Sequence, residues 1–348
     1  MELTMDLSTL KPLYQHEGPF ATVYLEGRSP SENAATQVRL RWQALRDRLE
    51  QQGAPPGPLD ALEGELRAGT PGEEQTNGRV LVAGAGGVVL DEPWDAALGV
   101  GDAAHWAYLP ELGPYARERA RSVRMLVVVA DQEGAEIRQA VVAEQHHPQA
   151  LGDETVQGTA IEGVHKPRHG FLSHNQIQRR ADEAVDRNAM DVAEHVRRTA
   201  DRFRPELVVL AGGVQARAAV RDALHDGLAA LLVETERGGR DERASDEALN
   251  DELLRFAAEE SARVAGERAG ALRAGQPHEQ AAEGDQPVVR AAELGAVDTL
   301  LFEEDVRVPR ESLLLKTCAE TSSAFGLVPG GTGLADGVGA LLRFPTRH

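Results

Sequence analysis

The stretch from Met125 to Gln145, MLVVVADQEGAEIRQAVVAEQ, leaves the backbone little choice. Two runs rich in β-formers flank Asp131–Gly134, where Asp and Gly suit a tight turn, and together they predict a β-hairpin. Farther along, Val185, Ala189, Val192, Val196 and Phe203 recur at helical spacing and predict a helix from Ala181 to Phe203. PELVVLAGG then reads as a buried strand opening at Gly212 and Gly213, followed by the helix VQARAAVRDAL and a short strand, LAALLVE. Hairpin, loop, helix, strand, helix and strand in this order predict an α/β fold class, α+β mixed in detail.

At 348 residues and 41% hydrophobic content, the chain has room for two or three such units of roughly 100–200 residues each. Residues 1–120 read as the first. FATVYLEG is a strand from Phe20, and NAATQVRLRWQALRDRLEQQ is a helix with Val38, Trp42, Leu45 and Leu49 on one face. RVLVAGAGGVVLDEP is a hairpin turning at its glycines. Residues 121–238 form the second unit. The charged, glycine-punctuated segment RGGRDERASDEALN marks the boundary with the third, 239–348. There Leu249, Leu253, Leu254, Phe256 and Ala257 start a long acidic helix, and AGQPHEQAAEGDQP is a soft spot. VVRAAELGAVDTLLFEEDV supplies a helix ending near Gly295 and a strand through Leu300 and Phe302; after a glycine-rich turn the last strand runs from Ala340 to Phe344.

Between the hairpin and the Ala181 helix lies HKPRHGFLSHNQIQRR, His165 to Arg180. It holds Lys166, Arg168, Arg179, Arg180 and three histidines without one Asp or Glu. The whole chain sets 37 Lys+Arg against 56 Asp+Glu, a net charge of −19. That balance disfavours sequence-blind contact with a polyanion and confines RNA contact to a local, sterically guided patch. The same residues also fit an ordinary solvated loop. Phe171 suits either stacking on an unpaired base or anchoring the loop on its own domain. His165, His169 and His174 offer imidazole to a metal, but no thiolate or carboxylate accompanies them and four cations oppose one. A histidine pair with Lys166 has the residue types for acid–base cleavage of RNA; binding phosphate without cutting it uses the same set.

No cofactor is expected. Gly84, Gly86 and Gly87 lack the third glycine of a dinucleotide fingerprint, and Val88 to Leu90 continue as strand, so these glycines read as turn formers. Cys318 is the only cysteine, which excludes an internal disulfide and fits a reducing compartment. MELTMDLSTL carries acidic residues where a secretory signal has basic ones, and no apolar run approaches the ~20 residues of a membrane span, so a cytoplasmic location is expected. The acidic helix from Asp246 to Arg263 faces either solvent or a protein partner.

From about residue 125 to 348 the chain resembles the class-I release factors of eukaryotes and archaea and their relative Pelota. MLVVVADQEGAEI, the His165–Arg180 loop, the Ala181–Phe203 helix and LVVLAGG follow in the order of that family's middle domain. VVRAAELGAVDTLLFEEDV and GVGALLRFP are similar to segments of Pelota's last domain. With PFATVYLEGRSP near its start, the chain resembles the bacterial homologues of these factors, in the actinobacterial branch related to the hibernation factor Balon. The resemblance implies a three-domain release-factor/Pelota-like architecture whose domains face, in order, the decoding centre, the peptidyl transferase centre and the factor-binding side. It implies the 70S ribosome as partner, through 23S and 16S rRNA at the A site, with elongation factor Tu as a candidate companion and neither membrane nor DNA. The RNA-binding residues expected are His165, Lys166, Arg168, His169, Gly170, Phe171, His174, Asn175, Gln176, Arg179 and Arg180, with Arg28 in the loop after the first strand.

Release factors act through a Gly-Gly-Gln tripeptide at the tip of that loop. Here Gly170 is followed by Phe171, Leu172, Ser173, His174, Asn175 and Gln176, and Gln176 lacks the paired glycines that permit close backbone approach. Gly212, Gly213 and Gln215 sit instead at a strand-to-helix junction. Binding without hydrolysis is therefore expected, by a non-enzymatic hibernation factor that fills the A site of inactive ribosomes as a protein mimic of tRNA. The family's stop-codon-reading motif is not recognisable, which argues against codon recognition. The alternative is a rescue enzyme that hydrolyses peptidyl-tRNA with His174 or Gln176. A third reading, a nucleotide-binding regulator, rests on Gly84–Gly87 and Gly212–Gly213.

Overall fold

The computed structural model describes residues 4–25, 34–67, 78–94, 101–143, 149–157, 174–238 and 243–346. The first third holds β1 (Met5–Asp6), β2 (Phe20–Leu25), α1 (Ala34–Gln51), α2 (Pro56–Arg67), β3 (Gly78–Gly84), β4 (Gly87–Trp94), β5 (Ala103–Ala107) and α3 (Gly113–Arg121). Next come β6 (Val123–Ala130), β7 (Gly134–Val142), β8 (Gln149–Gln157), α4 (His174–Phe203), β9 (Leu207–Gly212), α5 (Val214–Ala223), α6 (Asp226–Ala229) and β10 (Leu232–Glu234). Last are α7 (Arg243–Gly275), β11 (Ala281–Glu283), α8 (Asp285–Glu293), β12 (Val297–Glu303), α9 (Glu311–Glu320), β13 (Ala324–Val328) and β14 (Val338–Leu342). These elements form two compact units, one of Ser122–Glu260 and one of Glu2–Arg121 with Ser261–His348.

The unit of both chain ends contains two sheets. An antiparallel sheet, ordered β4-β3-β2-β5, lays Ala21, Val23 and Leu25 of β2 against Trp42, Leu45 and Leu49 of α1 and Leu59 and Leu62 of α2. The other face of the same strand, Phe20 and Tyr24, enters a second core with α3, α8 and α9. Burial on both faces is why FATVYL is apolar without alternation. The second sheet is ordered β1-β13-β12-β14-β11, so the first strand of the chain pairs with β13, Met5 opposite Phe325.

The Ser122–Glu260 unit is built on a sheet ordered β10-β9-β6-β7-β8. β6, β9 and β10 are parallel; β6, β7 and β8 run antiparallel. Leu126, Val128 and Ala130 of β6 and Val208 and Leu210 of β9 pack against α4 and α5. On the opposite face Arg138 of β7 reaches Asp246 of α7 at 3.3 Å.

The expected hairpins β3–β4 and β6–β7 form, and Gly84 pairs with Gly87 across the first turn. Several elements differ from the sequence expectation. α4 begins at His174, before Ala181, because no Gly or Pro interrupts His174–Phe203. α7 starts at Arg243, inside the charged segment read as a boundary, since Ala, Glu, Leu and Arg there are good helix formers. LAALLVE supplies only the three-residue β10, preceded by the helical turn α6. The soft spot contains β11, the glycine-rich turn is preceded by β13, and the last strand is Val338–Leu342. β5 and β8 were not anticipated. QALGDETVQ has little apolar content and is a strand because β7 pairs with it from Gly134 to Val141.

Among the described residues, no helix is long and apolar enough to cross a membrane. Cys318 is buried, and burial pushes its thiol up to about 12.

Candidate nucleic-acid interface

The basic segment is joined to the Ser122–Glu260 unit through β8 on one side and α4 on the other. His165, Lys166, Arg168, His169, Gly170 and Phe171 lie outside the described residues, as does Arg28. His174, Asn175, Gln176, Arg179 and Arg180 fall within the first two turns of α4, so this part of the expected loop is helix. From Val185, the first of the described buried positions on α4, the helix extends back to His174 over about 17 Å.

α4 is held firmly from Val185 onward. Ala189, Val192, Val196 and Ala200 are buried on one face, against Ile137 of β7 and Val128 of β6. Asn188, 4% exposed, donates from Nδ2 to the carbonyl of Gln132 at 3.0 Å, tying the helix to the β6–β7 turn. That turn is closed by Asp131, whose Oδ1 accepts from the backbone N–H of Glu133 at 2.8 Å and of Gly134 at 2.9 Å. A side chain on Gly134 would meet the Val156 carbonyl oxygen at 2.1 Å, so the glycine permits β8 to approach. On β8, Glu154 stands opposite Ile137 and meets His195 of α4. The alternation Gly152, Glu154, Val156 was the available sequence signal for this strand. A polar residue at its centre hid it.

Both glycine groups serve the backbone: Gly84 pairs with Gly87 across the β3–β4 turn. Gly212 has φ +104, and a Cβ there would lie 2.0 Å from the Ala130 carbonyl oxygen. Gly213 donates its N–H to that same carbonyl at 3.1 Å. The glycines close β9 onto β6. The shallow groove beside them is lined by Val185, Ala189, Val192 and Ala216, with Asp131 and Asn188 at its rim already hydrogen-bonded. Among the described residues, no group of three His, Cys, Asp or Glu side chains could hold a metal ion.

The far end of α4 is strongly charged. Arg197 is closed between Glu194 at 2.9 Å and Asp201 at 2.8 Å, and Arg197 holds the exposed Glu194 carboxyl below its ordinary value. Arg198 and Arg202 are 60% and 72% exposed. Arg124, at the start of β6, clasps Glu206 before β9 through paired hydrogen bonds.

Residues 124–278 match the family model of the bacterial archaeo-eukaryotic release factor family 2. Over 378 aligned residues the chain is 25% identical to an uncharacterized protein of Mycobacterium tuberculosis, Rv2629 of strain ATCC 25618 / H37Rv, with 96% of each chain covered. MT2704 of strain CDC 1551 / Oshkosh matches to the same extent. Among solved structures, Archaeoglobus fulgidus Pelota is similar at 14% identity and a TM-score of 0.35, covering 99% of this chain and 95% of that one. S. cerevisiae Dom34 is similar at 9% identity and a TM-score of 0.42, with 99% and 94% covered. The family match covers the hairpin, the basic segment and α4 and runs on to residue 278, and over these residues the chain is similar to the bacterial archaeo-eukaryotic release factors of family 2.

Proposed function

We propose that this chain is a ribosome-associated translation factor of release-factor type that occupies the A site of inactive 70S ribosomes in the cytoplasm and does not hydrolyse peptidyl-tRNA. The observation that carries the reading is the coincidence of the family match at residues 124–278 with a loop that lacks Gly-Gly-Gln. Hydrolysis at that position needs a backbone able to approach the ester closely and a side chain that orients water. Phe171 to Gln176 contain no glycine to permit that approach. Lys166, Arg168, Arg179 and Arg180 bind phosphate by displacing counterions. On this reading the chain preserves idle ribosomes as a tRNA-shaped occupant, in the manner of the Balon branch. It contacts 23S rRNA through the basic segment and 16S rRNA through Arg28, with elongation factor Tu as its candidate companion.

The test is co-sedimentation of the purified protein with vacant 70S ribosomes, alongside a peptidyl-tRNA release assay on ribosomes carrying a labelled nascent chain. Near-stoichiometric binding without peptide release is expected. Release above the rate of ribosomes alone would make the chain a rescue enzyme acting through His174 or Gln176. Failure to sediment with ribosomes would overturn the reading.

A further inference from the structure

We propose that the C-terminal end of α4 is a second phosphate-binding patch, at which Arg198, Arg202 and Arg204 take the backbone of an RNA. The proposal deepens the ribosome-binding reading and rests on it for its biological partner. Arg198 is 60% exposed with its nearest carboxylate, Glu194, at 3.5 Å and already bonded to Arg197. Arg202 is 72% exposed and reaches Glu154 only at 4.0 Å, a carboxylate that also meets His195. Arg204 is exposed and has no ion-pair partner among the described residues. Three guanidinium groups are therefore only loosely neutralised on a chain of net charge −19.

Arg204 differs from the other two in its backbone. Its N–H closes the helix on Ala200 at 2.7 Å, and its φ is +52, the left-handed conformation of a helix-ending residue. Glycine is the usual occupant there because a Cβ is disfavoured in that region. Cations at a helix C-terminus are favoured by the macrodipole, which accounts for Arg198 and Arg202 as surface residues. It does not require an arginine at the strained position. Arg310, also at φ +52, is bonded to Asp285 at 3.0 Å; among the described residues Arg204 has no such partner. A strained backbone retained under an unengaged guanidinium points to an external anion.

The patch lies about 33 Å along the helix axis from Arg180. The two basic ends of α4 would thus meet separate stretches of RNA.

Binding is measured by titration over a range of KCl, with vacant 70S ribosomes and, separately, with a fluorescein-labelled RNA duplex. Arg204→Gly is expected to leave Tm unchanged or raise it while lowering ribosome affinity about threefold and flattening the log affinity against log salt slope by roughly 0.7–0.9. Adding Arg198→Gln and Arg202→Gln is expected to lower affinity at least tenfold and the slope by about 2, on ribosome and duplex alike. Arg198→Lys with Arg202→Lys, in place of the two glutamine changes, is expected to restore most of both. Unchanged affinity and slope in the triple variant would overturn the patch while leaving ribosome binding intact. A loss on ribosomes with none on the duplex would assign the surface to an acidic protein and overturn the RNA proposal. If the wild-type chain binds the duplex but not ribosomes, and the triple variant loses the duplex, the patch stands and the ribosome reading falls. Wild-type binding to neither would overturn both.

Discussion

Glu118 sits on α3 at 6% exposure, and burial pushes its carboxyl up to about 9, with Arg119 acting in the opposite sense. Because the folded value lies above the ordinary 4.5, the folded state holds this proton more tightly than the unfolded chain. Its contribution to stability is present below about pH 4.5 and is lost as pH rises toward 9. Glu118→Gln keeps the shape and removes the charge. Thermal unfolding at pH 5 and pH 8.5 should show near-equal Tm values at the lower pH and a variant more stable by about 5 °C at the higher. Glu303 is the opposite case. Burial alone would raise it, but the backbone N–H groups of Gly333, Leu334, Gly331 and Thr332 hold it low, with Leu334 at 2.7 Å. Nothing local in the sequence marks either carboxylate. Their environments come from α3 packing into a shared core and from a loop thirty residues downstream of Glu303.

The helical spacing Val185, Ala189, Val192, Val196 was legible, and each of these side chains is buried. Val196, at 0% exposure, faces Ile137 and Val208 in one core. Val196→Ala should cost about 2 kcal/mol in urea unfolding, from lost burial and an incompletely collapsed cavity. Met190, on the same helix but 58% exposed, should tolerate Ala within about 0.5 kcal/mol. The helix start was not legible. A cationic, histidine-bearing sequence reads as loop by composition, whereas helix propagation from Val185 needs only residues that do not break it. Asn188 was likewise hidden, since an Asn within a helical pattern reads as surface until the Gln132 carbonyl is placed beside it.

For the molecule as a whole, the charge balance favours local over diffuse contact with polyanions. A chain of net charge −19 is repelled by polyanions except where cations cluster, so the salt dependence of the proposed ribosome binding would report those clusters. Replacing Lys166, Arg168, Arg179 and Arg180 together by Ala should weaken ribosome association and lower the salt slope by about 3. Unchanged affinity and slope in co-sedimentation over a KCl series would remove the basic segment from binding.

Elements whose signal lies within one window were determined by the sequence alone: both hairpins, the core face of α4, the strand LVVLAG, and the concentration of cations between residues 165 and 180. Their evidence is the period of the apolar residues and the chemistry of the turns, which the neighbours in the chain suffice to supply. The tertiary structure decided the rest. β8 is a strand because β7 offers a hydrogen-bonded edge, β1 because β13 does, although Met5 and Phe325 are separated by nearly the whole chain. Arg204 is left-handed at the point where α4 closes on the Ala200 carbonyl and the chain turns into β9 beside β6. Pairing partners distant in sequence supply the energy for these conformations, and that energy exists only once the fold brings them together.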